Sequence, residues 1–239
     1  MNDLLTLAVA AHGGIERWNA INTIDADLSI TGAIWHFKQQ PDALKQVTLK
    51  ASTREQRVTL TPFPIEGQHS VFTPARVSIE AQDGTLIDAR DNPRASYSTH
   101  TAETAWDKLH VVYFSGYALW GYLTAPFLYT YPGFVTEEIA PWQENGEAWR
   151  RLKINFPESL AAHGREQVAY FGPDGLLRRL DYTVDILGGA TGANYATDYQ
   201  DIDGIKIPMT RRVYARDEQG QKIAEPLLVA IDVKRIALS

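Results

Sequence analysis

The chain contains no cysteine in its 239 residues, which excludes disulfides, thiolate metal sites and cysteine nucleophiles. Positive charge is also short: 23 Lys and Arg stand against 29 Asp and Glu, a formal net charge of −6. That balance removes the basic footprint of a nucleic-acid binder, so no nucleic-acid partner is expected. The six histidines show neither HExxH nor HxH spacing, and neither a metal nor a cofactor is predicted. Ser115 lies in FSGYAL rather than in a GxSxG elbow. The glycine-rich run 188–192 (GGATG) lacks the lysine of a phosphate loop and reads as a β connection. There is no internal repeat, no low-complexity segment and no composition shift, so residues 1–239 are expected to form one domain.

The N-terminus carries no basic region, and its apolar run LLTLAVAA is broken at His12-Gly13-Gly14, a poor secretory signal. As it stands the sequence predicts a cytoplasmic location, or a periplasmic one if a leader has been removed. Residues 3–11 and 15–21 read as a short helical hairpin, with Ile15 and Trp18 pinning it to a sheet. His12, at the end of the first helix, reads as a histidine favoured by the helix dipole.

From residue 22 the hydrophobic period becomes two. Ile24, Ala26, Leu28 and Ile30 alternate with polar residues, the pattern of an antiparallel strand with one wet face. Strands are predicted at 22–31, 33–37, 44–52, 54–61, 70–73, 76–81 and 85–89. A polar, mobile loop is expected at 91–104, and either Thr101 or Thr104 would cap the helix that follows.

That helix, 105–125, is the centre of the chain. After Lys108 no charged residue occurs until Glu137, and 106–133 holds two of the six tryptophans and five of the eleven tyrosines. About 30 Å long, it is predicted to cross a curved sheet with most of its surface buried. Polar interruptions such as His110, Ser115 and Thr124 argue against a transmembrane segment, and Pro126 should end or kink the helix.

The C-terminal half reads as strands at 134–139, 147–156, 167–171, 176–187, 194–199, 205–215 and 227–238, joined by turns such as Pro173-Asp174-Gly175 and Asp203-Gly204. Asp181, Asp185, Asp198, Asp201 and Asp203 lack the spacing of a calcium loop and are assigned to turns and to the wet faces of strands. Phe171, Gly175 and Leu176, followed by Tyr199, Gly204, Ile205 and Pro208, form a pattern that resembles the closing strands of the lipoprotein-carrier (LolA/LolB-like) superfamily. The resemblance covers about the last 75 residues, and the rest by order of elements. It implies a curved half-barrel enclosing a pocket for lipid or another apolar ligand. The chain departs from that superfamily in having neither an export signal nor a lipobox cysteine.

The expected architecture is therefore mainly β (α+β): a curved antiparallel half-barrel, with a long aromatic helix and a short N-terminal helical hairpin on its concave side. Trp35, Phe37, Trp106, His110, Tyr113, Tyr117, Trp120 and Tyr182 are the predicted ligand-binding residues. Aromatics usually fill cores, but buried tyrosine hydroxyls need partners, so these side chains either fill the half-barrel or line a cavity. Three readings follow. The first is non-catalytic binding or carrying of a hydrophobic small molecule or acyl chain. The second is acid–base enzyme chemistry on an apolar substrate, with His100, Asp107, His110, Tyr113 and Tyr117 as candidates. The third is a structural protein with a filled core. Oligomeric state is not legible.

Overall fold

The computed structural model describes residues 2–101 and 103–239. Helices α1 (Asp3–Ala11) and α2 (Ile15–Asn19) form the N-terminal hairpin. They are followed by β1 (Thr23–Thr31), α3 (Ala33–Phe37), β2 (Val47–Ser52), β3 (Val58–Thr61), β4 (Gln68–Phe72), β5 (Arg76–Ala81) and β6 (Leu86–Asp91). The central helix is α4 (Lys108–Thr124). After it come β7 (Val135–Glu144), β8 (Glu147–Asn155), β9 (Glu166–Phe171), β10 (Leu177–Val184) and β11 (Ala190–Ile202). The chain closes with β12 (Ile205–Arg216), β13 (Lys222–Ile223) and β14 (Val229–Leu238).

The strands make one open, curved, antiparallel 14-stranded sheet in the order β6-β5-β4-β3-β2-β1-β14-β12-β11-β10-β9-β8-β7, with β13 paired off the path to β12. Two meanders thus meet at a central seam, where β1 pairs with β14 from Ile24–Leu238 to Thr31–Ala230. Alternation sets the faces as expected. In β1 the side chains of Ile24, Ala26, Leu28 and Ile30 are buried while Thr31 is exposed. Each fully buried large apolar side chain contributes about 1.5–3 kcal/mol over an exposed one.

Helix α4 has 17 residues, about 25 Å at 1.5 Å per residue, and almost all of it is buried. Its N-cap is Asp107 rather than Thr101 or Thr104. The Asp107 carboxylate accepts from the His110 amide at 2.8 Å, and the Asp107 amide donates back to His110 Nδ1 at 3.2 Å. Burial pushes the Asp107 carboxyl up, but hydrogen bonds from His110 and Arg90 outweigh it and hold the group well below the usual range. The helix ends as Pro126 requires, with Ala125 extended before the ring. Among the described residues no helix is long and apolar enough to cross a membrane.

Gly116 sets how closely α4 approaches the sheet: a Cβ there would lie 2.2 Å from Cγ of Phe72 on β4. Trp120 adds a hydrogen bond from its indole to the Ser52 carbonyl at 2.8 Å. At the N-terminal hairpin, Trp18 stacks on Phe127 at 4.4 Å and 7°, and its indole donates to the Tyr131 hydroxyl at 2.9 Å.

Four local expectations are corrected. Residues 33–37 form helix α3, not a strand, because Gly32 at φ 121° turns the chain sharply. A Cβ at that position would also strike the Leu228 carbonyl at 2.4 Å. Part of the segment expected to be a mobile loop is a 3₁₀ turn, Pro93–Tyr97, with Pro93 and Tyr97 buried; Ala102 lies outside the described residues. His12 is buried and neutral rather than a charged dipole partner. Its Nδ1 donates to the Ala8 carbonyl at 2.7 Å, its Nε2 faces the Leu177 amide at 3.5 Å, and burial pushes its pKa down to about 4. Asp181 is not on a wet face. It is buried in an ion pair with Arg179 at 2.6 Å, and Tyr170, Trp142 and Tyr195 surround the guanidinium at 4.9, 5.4 and 5.4 Å.

Candidate ligand-binding site

Between α4 and the concave face of the sheet runs a slot of about 590 Å³ of atom-free space, its mouth included. About 70 Å³ of it admits the centre of a water-sized sphere, against roughly 10–15 Å³ for one water. Phe114, Ala118 and Tyr122 of α4 form one wall, Ile34 and Trp35 of α3 another, and Val213 and Ile231 the floor. The slot is narrow and its lining almost wholly apolar.

One end is polar. His163, from the loop between β8 and β9, stacks on Tyr182 with ring centroids 3.9 Å apart and planes 8° from parallel. Its Nε2 lies 2.7 Å from the Tyr122 hydroxyl and its Nδ1 3.2 Å from the Tyr117 hydroxyl. The hydroxyls of Tyr122 and Tyr182 are 2.6 Å apart. Burial, with Arg94 nearby, pushes the His163 pKa down to about 3, so the ring is neutral, one nitrogen donating and the other accepting. Burial likewise raises the Tyr122 phenol to about 12. The cluster is an uncharged set of polar handles on an apolar cavity.

The residues predicted from sequence separate into groups. Trp35 and Tyr182 line the slot. Tyr117 and Trp120 line a smaller adjoining cavity together with His163. Trp106, His110 and Tyr113 gather around Tyr97, whose hydroxyl donates to the His110 carbonyl at 2.7 Å. His100 lies against His110 at 4.5 Å. This second aromatic cluster meets the slot wall through Trp106, 5.0 Å from Phe114, and packs on Tyr117 through Tyr113 at 5.3 Å. None of the three cavities under α4 is lined by His100, Asp107, His110 or Tyr113. Phe37 is 55% exposed on the far end of α3.

The sequence does not point to His163 or Arg211, and Tyr122 is legible there only as one of the central aromatics that fill or line the half-barrel. His163 belongs to no motif; the available signal was a histidine set among Ala161, Ala162 and Gly164, residues small enough to let a loop enter a core. Arg211 falls by period two on the apolar face of its strand, with Ile207, Met209 and Val213. It is buried, and its Nη2 donates to the Tyr122 carbonyl at 2.8 Å, in the last turn of α4.

No family model matches the chain, and no curated protein matches it. Solved structures do. A DUF1329 family protein from Desulfovibrio piger aligns over 99% of this chain and 92% of its own at 11% identity, with a TM-score of 0.53. A putative outer membrane lipoprotein-sorting protein domain from Vibrio parahaemolyticus aligns over 100% and 94% at 11% identity, TM-score 0.52. A LolA superfamily protein from Nitrosomonas europaea aligns over 92% and 86% at 9% identity, TM-score 0.49. At such identities the likeness concerns the fold alone. The chain shares its fold with the DUF1329 family protein and the putative lipoprotein-sorting domain.

Proposed function

We propose that this chain binds or carries a hydrophobic small molecule or acyl chain, without catalysis, in the slot between α4 and the concave sheet. The observation that carries the reading is the slot's lining. Protein interiors are packed about as densely as organic crystals, so a cavity walled by Phe114, Ala118, Val213 and Ile231 in the middle of a core is space kept for an apolar guest. The solved structure described as a putative lipoprotein-sorting domain supports the same class of ligand.

Acid–base catalysis ranks below carrying. The histidine that reaches the slot, His163, protonates only near pH 3 and has a tyrosine hydroxyl against each nitrogen, which makes it a weak base at neutral pH. The test is native mass spectrometry of the purified chain, together with displacement of a dansyl-labelled fatty acid. Saturable binding of the probe is expected. Neither a co-purifying apolar molecule nor saturable binding would overturn the reading.

A further inference from the structure

Arg211 is a buried guanidinium, 5% exposed, that forms no ion pair with any described carboxylate. One of its amino groups has a clear structural duty. Nη2 binds the Tyr122 carbonyl, where a helix end leaves carbonyls unsatisfied and a cation is favourable. The other, Nη1, has no hydrogen-bond partner among the described residues, and the guanidinium lies 5.2 Å from the centre of the Tyr122 ring. Beside it in the sheet, Asn194 is fully buried, its amide close to the Tyr122 hydroxyl but with neither amide atom in a hydrogen bond of ordinary geometry among the described residues. Its neighbour in the next strand is Val213, and Arg211 faces Ala196 two places along. Leaving a buried charge and a buried amide unpaired is expensive, and native proteins rarely do it without a reason.

Both side chains belong to the slot's face of the sheet. Residues two apart on a strand share a face. Asn194 follows Gly192 by two and Arg211 precedes Val213 by two, and both Gly192 and Val213 line the slot. Arg211 itself lines a further small cavity, about 310 Å³ of atom-free space with its mouth included and about 10 Å³ open to the centre of a water-sized sphere, that shares Leu119, Tyr122 and Ile231 with the slot. An apolar channel therefore adjoins a cation with an unpartnered N–H, and the Asn194 amide is buried on the same face of the sheet without itself lining a cavity.

We infer that the groove takes an amphiphile bearing a single carboxylate, a long-chain carboxylic acid, with its chain in the slot and its carboxylate on Arg211 Nη1 and the Asn194 amide. A carboxylate offers two acceptor oxygens to this pair, and charge-assisted bonds to a guanidinium are about twice as strong as neutral ones. The narrow slot suits one chain rather than several. This inference rests on the carrying function proposed above.

The experiment compares dodecanoate with its methyl ester by calorimetry at pH 8, using the full chain. Wild type should bind the acid at least about tenfold more tightly than the ester. Arg211→Met should erase that preference while leaving ester binding in place, and Arg211→Lys should restore part of it. Asn194→Leu should reduce the preference several-fold, and it decides the matter if Arg211→Met does not fold. Equal affinity of wild type for acid and ester overturns the inference and leaves the carrying function standing. An undiminished preference in folded Arg211→Met, or in Asn194→Leu when that variant decides, also overturns it. Binding of neither molecule overturns both.

Discussion

Gly116 of α4 and Phe72 of β4 are in contact: the place a Cβ would take on Gly116 is 2.2 Å from the Phe72 ring carbon Cγ. Gly121, five residues on, faces open space. The two glycines are opposite cases on one helix. Gly116→Ala should cost about 1–3 kcal/mol by overpacking. Gly121→Ala should gain up to about 1 kcal/mol, because alanine loses less backbone entropy in a helix. Urea denaturation of both variants checks this, and a stable Gly116→Ala would contradict the packing described.

Acid should destabilise the fold through His12 and His163. Their pKa values in the folded chain, about 4 and about 3, lie below the ordinary 6.5, so the unfolded chain takes up protons first as pH falls. The stability each contributes is complete above pH 6.5 and is lost as pH drops toward the folded values, at about 1.4 kcal/mol per pH unit for each ring. Thermal melts at pH 7.5, 6 and 5 should show a falling midpoint, less steep in His163→Phe. A midpoint that does not move over this range would rule the account out.

Asp181→Leu should cost about 3–5 kcal/mol, since it leaves the Arg179 guanidinium buried without its nearest carboxylate. Glu144, 3.1 Å from Arg179, limits the loss but cannot replace the second contact. A double variant, Arg179→Met with Asp181→Leu, should recover part of the stability, because the fully buried guanidinium is gone and the partners left behind, Glu144 and Arg216, are partly exposed. Chemical denaturation of the two variants side by side separates these outcomes.

Filling the slot should abolish ligand binding without unfolding the chain. Ala118 is buried at the slot wall, and Ala118→Phe would extend a ring into atom-free space. Displacement of the dansyl-labelled fatty acid should be lost, with a melting temperature equal to or above that of wild type. Retained binding at full affinity would place the ligand elsewhere.

Much of the sheet was legible because one face is wet. Alternation along β1, β2 and β12 fixes register and facing, and asparagine, aspartate and glycine mark the turns. The short helix α3 was not legible: Trp35 and Phe37, two apart, imitate a strand, and only the positive φ of Gly32 reveals the turn. The polar half of the site was hidden for a related reason. Period-two reasoning puts Asp181 on the wet face, yet it is buried against Arg179 two residues earlier; Arg211 shares the apolar face of its strand, and its partner Tyr122 is distant in sequence. His163 acts from a loop, where periodicity carries no information. The central aromatics were read as one set, yet three dimensions divide them between the slot and the Tyr97 cluster, because a helix presents different faces to different strands.

The pairing of β1 with β14 places residues about two hundred positions apart at the middle of the sheet. During synthesis, Ile24 through Thr31 must therefore wait for their partner until almost the entire chain has been made. Each meander can form locally from neighbouring hairpins, but the seam between them closes a very long loop, the kind of contact that slows folding. In that interval the inner edges of β1 and β12 and the apolar surface of α4 lie open. This protein is most exposed to aggregation as it leaves the ribosome, and it should depend on chaperones more than its native packing suggests.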